Sequence, residues 1–172
     1  MPEENASTRY KEGEIVNIKI VMQDGGVMKL ALYPDKAPET VANFVDLVNE
    51  GFYNGLTFHR IVEGFMIQGG DPDGTGMGGS AKTIRGEFAA NGFEKNDLSH
   101  KRGVISMART NMPNSASSQF FICHDDASFL DGQYAAFGEM TEGFEVLDAL
   151  AKTPVLGETP VTKPVIESIT VE

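Results

Sequence analysis

The 172 residues predict a mostly β fold, an eight-stranded antiparallel sheet closed into a barrel and accompanied by two helices. Three observations carry that prediction. The apolar residues fall into about eight short runs of strand-like composition bounded by turn residues. Only two stretches repeat at helical spacing. No strand–helix–strand rhythm recurs, which argues against a parallel sheet. Closure is expected because it removes unpaired sheet edges.

The elements follow in order. Residues 1–13 read as a polar extension and a frayed tail, and 14–172 as one domain. Ile15 to Met22 and Val27 to Leu32 are strand-like and flank Asp24-Gly25-Gly26, a hairpin turn signal. Ala37-Pro38-Glu39-Thr40 opens a helix on which Val41, Phe44, Val45 and Val48 share a face, and Gly51 ends it. Thr57 to Val62 and Phe65 to Gly69 are short strands joined at Glu63-Gly64. From Gly69 to Asn96 the chain reads as loop, a length that points to function or disorder. Val104 to Ala108 and Gln119 to Cys123 are strands, separated by the polar loop RTNMPNSASS. Tyr134 to Glu139 is a further strand. Phe144, Leu147, Ala149 and Leu150 mark the second helix, and Val165 to Val171 closes the chain as a strand.

Composition narrows the function. Hydrophobic residues make up 41% and charged residues 23%, as in ordinary globular proteins. The net charge of −11 repels nucleic acid and anionic membranes, so neither is expected as a partner. No apolar run reaches the length of a membrane span, and the start MPEENASTRYKEGE does not read as a signal peptide. Asn5-Ala6-Ser7 matches a glycosylation sequon by chance on that reading. The single Cys123 excludes an internal disulfide and suits a reducing, cytoplasmic compartment. Within QFFICH it reads as a small hydrophobe on a buried strand rather than a nucleophile.

Several chemistries find no support. GGDPDGTGMGGS lacks the Gly-Lys-Ser/Thr ending of a phosphate loop, and no helix is expected to start on it. Asp71 and Asp73 suggest a calcium loop, but the twelfth position is Lys82 rather than a bidentate Glu. His59, His100 and His124 are far apart in sequence, and Ser115 to Ser118 lack a nucleophile-elbow pattern. Neither cofactor nor metal is expected.

FHRIVEGFMIQGGD, residues 58–71, poses a sharper question: why a permanently charged arginine sits among Phe58, Ile61, Val62, Phe65, Met66 and Ile67. Strand alternation gives part of the answer. It sends His59 away from Arg60, puts Met66 and Gln68 on one face, and puts Gln119 and Phe121 on another. A polar group beside an apolar one on each strand describes a groove that takes an apolar ring and grips a backbone.

FHRIVEGFMIQGGD, SSQFFI at 117–122 and FLDGQYAAFG at 129–138 together closely resemble the cyclophilins, the cyclosporin-binding peptidyl-prolyl cis-trans isomerases. The three stretches stand in family order and spacing, and the resemblance covers about residues 14 to 172. It implies a closed barrel capped by two helices, with the active groove on its outer face. It implies a monomer that acts on proline-containing polypeptides and assists their folding. On the matching positions, Arg60 would be the catalytic arginine. Phe65, Met66, Phe121 and Leu130 would form the proline pocket, with Phe129 at its rim. Gln68 and Gln119 would line the groove, Ala108 and Arg109 would contact the substrate backbone, and Gly74 would lie in a flanking loop. The sequence departs from the best-known eukaryotic members at three points. Phe129 stands where they have tryptophan, Tyr134 stands where they have histidine, and the loop from Arg109 to Ser117 is slightly longer. All three resemble the bacterial single-domain branch, and they imply weak cyclosporin affinity. A non-catalytic proline-segment binder or chaperone on the same scaffold is the alternative. Arg60 disfavours it, because a pure binder needs no donor at the rotating bond.

Overall fold

The computed structural model describes residues 9–172. The Asn5-Ala6-Ser7 sequon and the start of the expected extension lie outside them. Residues 9–13 are docked rather than frayed. Both terminal nitrogens of Arg9 donate to the Asp46 carboxylate at 3.1 and 2.7 Å, Tyr10 packs on the core, and Gly13 N–H donates to Asp35. An aromatic ring and a forked ion pair within the polar run are what anchor it.

Strands β1 (Val16–Met22) and β2 (Val27–Leu32) form the predicted hairpin, with Ile18 opposite Leu30 and Ile20 opposite Met28. Alternation buries Ile18, Ile20 and Met22 and leaves Asn17 and Lys19 outside. Helix α1 (Pro38–Asn49) starts with proline in its first turn, where the missing N–H costs nothing. Ala37 offers no side-chain cap, and that role falls to the distant Glu87. Buried Glu87 accepts hydrogen bonds from the N–H of Thr40 at 2.7 Å and of Glu39 at 3.3 Å, and from Thr40 Oγ1 at 2.7 Å. Burial pushes its carboxyl above the usual range, against the pull of those donors.

Strands β3 (Phe58–Val62), β4 (Met66–Gly69), β5 (Val104–Met107), β6 (Phe120–Cys123), β7 (Ala136–Glu142) and β10 (Ile166–Val171) complete the main sheet, and α2 (Phe144–Ala151) is the second helix. The short strands β8 (Val155–Leu156) and β9 (Thr159–Pro160) form a separate hairpin that sequence reasoning missed. The sheet order is β10-β1-β2-β7-β5-β6-β4-β3, antiparallel at every pairing. Its two end strands do not share a ladder. They approach at one isolated bridge, Thr57 to Val165, beside bonds from Phe58 N–H to Pro164 O and from Ile166 N–H to Leu56 O. The expected closed barrel is thus an open, curled eight-stranded sheet. The local reason is that β9 lies against β3, where Ile61 N–H donates to Glu158 O at 2.9 Å.

Inside the curl, Phe44 of α1 packs against Tyr53, Phe120 and Phe137 at centroid distances of 5.0, 5.6 and 5.2 Å. Leu147, Leu150 and Ala151 of α2 join the same core. A second, smaller cluster of Met66, Phe121, Cys123 and Ala127 lies apart from it, flanked by Val62, Phe65, Ala108, Leu130 and Tyr134. No described helix is long and apolar enough to cross a membrane.

Candidate active site

The second cluster is the apolar part of a surface groove. Register builds it as a row across four strands. Arg60 on β3 is opposite Gln68 on β4, Gln68 is opposite Phe121 on β6, and Phe121 is opposite Ser106 on β5. Arg60, Phe65, Met66, Gln68, Ala108, Arg109, Phe121, Leu130 and Tyr134 together line one cavity of about 160 Å³. Every residue expected at the proline pocket is therefore gathered in one place. Phe129 stands outside that cavity at its rim, 67% exposed, with its ring 5.5 Å from that of Phe65.

A chain of side-chain amides runs away from the pocket. Arg60 Nη1 donates to Gln68 Oε1 at 3.3 Å, and Gln68 Nε2 donates to Gln119 Oε1 at 2.9 Å. Gln119 Nε2 then donates to the carbonyls of Gly76 and Gly78. Gln119 thereby pins the glycine-rich loop against a second cavity of about 280 Å³, lined by Gly76 to Ser80, Ala108 to Thr110, Gln68 and Gln119 among others. Residues 76–80 form the wall of that cavity, and Gly74 lies just before them in the same loop, its carbonyl accepting from Lys163 Nζ.

The loop is neither a phosphate nor a calcium site in form. It winds around its own Asp71, whose carboxylate accepts backbone N–H groups from Asp73, Thr75, Gly76 and Gly78. Burial raises the Asp71 pKa, but those four donors outweigh it and leave it below the usual range. At Gly78 a Cβ would collide with the Asp71 carboxylate, so the turn requires glycine there.

Behind the pocket floor lies a polar network that runs from buried His100 and Ser106 out to the more exposed Asp131. The His100 ring stacks on Phe121 at 5.9 Å and 17°. Its Nδ1 is 2.9 Å from Asp131 and its Nε2 is 2.8 Å from Ser106 Oγ. Asp131 also accepts from Ser99 Oγ and from the His100 N–H, which fixes the 3₁₀ turn Ser128–Leu130 carrying Phe129 and Leu130. Burial lowers the His100 pKa although Asp131 pulls it up, so the ring is neutral in the native state at neutral pH. Sequence reading missed this network. Its members are dispersed along the chain, and no local pattern marks them.

The Arg109 side chain is fixed in the groove wall. Nε and Nη2 donate to Gln133 O, Nη1 donates to Thr110 O, and the guanidinium lies between the rings of Phe88 and Tyr134 at 4.9 and 4.7 Å. It is a wall shared by both cavities, propping Tyr134. His59 is buried at a bulge in β3, where the register slips between Phe58 and Arg60 and simple alternation does not hold, and burial lowers its pKa. Cys123 is buried too, and desolvation pushes its thiol up to about 12, which leaves no thiolate at neutral pH. Arg60 is wetter than its apolar neighbours in sequence suggest. Its side chain is 41% exposed, and its Nε donates to Glu158 at 2.5 Å. Sequence reading did not find that partner, although Gly157 beside it marks the turn.

This curled sheet with an arginine at the lip of an outer apolar pocket is matched over residues 17–171 by the family profile described as Cyclophilin type peptidyl-prolyl cis-trans isomerase/CLD. The chain belongs to that family. It is 43% identical over 141 residues to peptidyl-prolyl cis-trans isomerase B of Bacillus subtilis, covering 82% of this chain and 94% of that one. It is 45% identical over 133 residues to a peptidyl-prolyl cis-trans isomerase of Helicobacter pylori, covering 76% and 78%. The crystal structure of a Cryptosporidium parvum cyclophilin type peptidyl-prolyl cis-trans isomerase superposes with a TM-score of 0.84 at 32% identity, over 92% of this chain and 98% of that one. A second structure of that protein, in the presence of the dipeptide Ala-Pro, gives 0.82 at 33% over 91% and 98%.

Proposed function

We propose that this chain accelerates rotation about X–Pro bonds in polypeptides, with Arg60 as the catalytic group and the 160 Å³ cavity as the proline site. The observation that carries the reading is an apolar pocket with the Arg60 guanidinium at its edge; the other lining guanidinium, Arg109, is taken up by backbone carbonyls, and the described lining residues include no carboxylate, histidine or thiol. Family membership and the Ala-Pro dipeptide used with the Cryptosporidium parvum protein support the substrate class.

The barrier to uncatalysed rotation is about 20 kcal/mol, which corresponds to a rate on the order of 0.01 per second. Reaching about 1,000 per second takes roughly 7 kcal/mol off that barrier. Burial of the ring against Phe65, Met66, Phe121 and Leu130 cannot supply it, because planar and twisted states bury the ring alike and uniform binding does not raise turnover. Rotation breaks amide resonance, and the prolyl nitrogen gains a lone pair. A guanidinium N–H aimed at that nitrogen is favourable only once the lone pair appears, and is worth roughly 3–4 kcal/mol where water is excluded. In the free protein Arg60 is half-exposed, so the bound peptide itself supplies the exclusion of water. Desolvation of the dipolar planar amide contributes the rest. Gln68, Gln119 and the Ala108–Arg109 backbone hold the flanking chain, so that one side of the bond turns against the other. Arg60 donates a hydrogen bond and does not transfer a proton.

The same reading includes a monomer serving protein folding in the cytoplasm, for which the buried, unpaired Cys123 suits a reducing setting. It includes weak cyclosporin binding at the groove, from the phenyl ring at position 129. It also treats the curled sheet as a functionally closed barrel, the Thr57–Val165 bridge holding its ends together. Exchange NMR on a short X–Pro peptide tests the activity. Faster cis/trans exchange at unchanged populations is the expected result. A protein that binds the peptide without speeding exchange would be the proline-segment binder instead.

A further inference from the structure

The guanidinium of Arg60 must face a prolyl nitrogen in a defined plane, yet it hangs on a long side chain that would otherwise sample many rotamers. Two contacts hold it. Nη1 donates to Gln68 Oε1 at 3.3 Å, a long bond, and Nε donates to Glu158 Oε2 at 2.5 Å. Nη2 has no partner among the described residues. Two anchored atoms of a rigid planar fork fix both its direction and its plane, and leave the third nitrogen to the groove.

Glu158 is itself placed by the backbone. The register pairs Leu156 with Thr159, so Gly157 and Glu158 form a two-residue hairpin turn between β8 and β9. Gly157 has φ 67 at the first central position, the conformation a type II′ turn requires. The Glu158 carbonyl accepts from Ile61 N–H at 2.9 Å, which seats the turn against β3 next to Arg60. The hairpin thus delivers a carboxylate to a residue 98 positions earlier in the chain. Both side chains are about half exposed, and an ion pair of that kind adds little to the stability of a fold. Its consequence therefore belongs in turnover.

We infer that Glu158 is a positioning residue, which holds the Arg60 guanidinium in the orientation that bond rotation requires. This rests on the reading of Arg60 as the catalytic donor. A competing effect has the opposite sign: a carboxylate beside the guanidinium weakens its positive field in the groove. Were that effect dominant, removing Glu158 would speed the enzyme.

Exchange NMR on an X–Pro peptide, run over a range of peptide concentrations, separates these outcomes with four variants: Glu158→Ala, Glu158→Gln, Arg60→Ala and the Arg60→Ala/Glu158→Ala double. Positioning predicts that Glu158→Ala lowers kcat about 5- to 10-fold, the scale of releasing one long side chain, with KM little changed. Glu158→Gln keeps an acceptor for Nε–H and should restore most of the rate. In the Arg60→Ala background, removing Glu158 should cost nothing further, whereas a residue acting through the fold would cost the same in both backgrounds. The Arg60 Nε–H resonance should be protected from solvent exchange in the parent protein and lose that protection in Glu158→Ala. Wild-type or faster turnover in Glu158→Ala, or an equal loss in both backgrounds, would overturn the inference while leaving Arg60 in its role. Wild-type turnover in Arg60→Ala would instead overturn the catalytic reading, and this inference with it.

Discussion

Phe120 and Phe121 are chain neighbours on one strand, 0% and 4% exposed, and alternation sends them to opposite faces. Phe120 meets the rings of Phe44, Tyr53 and Phe58 edge-on in the main core. Phe121 meets Tyr134 edge-on and His100 face-on, and forms the floor of the groove. Equal burial hides unequal roles. The inner ring is closed in on all sides by hydrocarbon. The outer ring is backed by a polar network and is open to a ligand on the side facing the groove. What separates core from site here is what lies behind each ring.

The two rings should respond differently to truncation, and this is the largest effect expected. Phe120→Ala should cost about 3–5 kcal/mol of stability, as for a large cavity in a packed core. Phe121→Ala should cost less, because its cluster is small and it already borders a cavity, yet it should lose most turnover by removing the floor of the proline site. Urea unfolding and exchange NMR on the same two variants read both quantities. Similar stability losses in the pair would break the distinction between the faces.

Arg60→Ala sharpens the distinction from the polar side. Turnover should fall about 100-fold or more, the scale of losing one transition-state donor. The thermal midpoint should move by only about 2–4 °C, because a half-exposed ion pair is worth at most about 1 kcal/mol. Wild-type turnover in this variant would remove the mechanism.

Acid should separate the two kinds of behaviour without mutation. Burial lowers the His100 pKa in the folded chain, so between that value and the ordinary histidine value of about 6.5 the unfolded state binds more protons. His59, lowered mainly by burial as well, acts in the same direction. The stability these neutral rings contribute is present above about pH 6.5 and declines as pH falls below it. Burial raises the Asp131 pKa, but the bonds from Ser99 and His100 outweigh it, so its contribution is lost at still lower pH, below the ordinary carboxylate range. Native-state protonation at the groove does not change in the first window. Turnover should therefore stay flat as pH falls from about 7.5 through the ordinary histidine value of about 6.5, while the unfolding midpoint begins to fall just below that value. A bell-shaped turnover profile centred on a histidine would contradict the mechanism, and an unchanged midpoint would contradict the polar network.

These residues also show what a sequence does and does not carry. Strand and helix positions were legible because alternation and helical spacing are local, as in Ile18–Ile20–Met22 and Val41–Phe44–Val45–Val48. The pocket residues were legible because three motifs carry them at family spacing. Three long-range contacts were not legible. The Glu87 cap on Thr40, the His100–Asp131 bond and the Glu158–Arg60 pair each join side chains 31 to 98 positions apart, and no periodicity links them. The β8–β9 hairpin was missed because two-residue strands are too short to alternate. The closed ladder was inferred from the general cost of edges. Here the hairpin contact at β3 occupies part of that edge.

The smallest effect concerns the rim, where the outer face is least protected. Phe129 packs at a tilt against Phe65 but leaves most of its ring in solvent. Cyclosporin-sensitive relatives of the resembling family carry tryptophan at the matching position. An indole N–H can donate a hydrogen bond to a ligand carbonyl, and a phenyl ring cannot. One such bond is worth about 0.5–1.5 kcal/mol net, or roughly 2- to 13-fold in affinity. Phe129→Trp should therefore tighten the proposed weak cyclosporin binding by that factor. Isomerase activity should change little, because the proline ring is assigned to Phe65, Met66, Phe121 and Leu130, and Phe129 lies outside their cavity. The chain contains no tryptophan, so the introduced indole reports on its own site. Titrating the drug against its fluorescence gives affinity directly. An active, folded variant with unimproved affinity would show that Phe129 does not stand where the tryptophan does. The boundary between pocket and rim would then have to be redrawn along the Ser128–Leu130 turn.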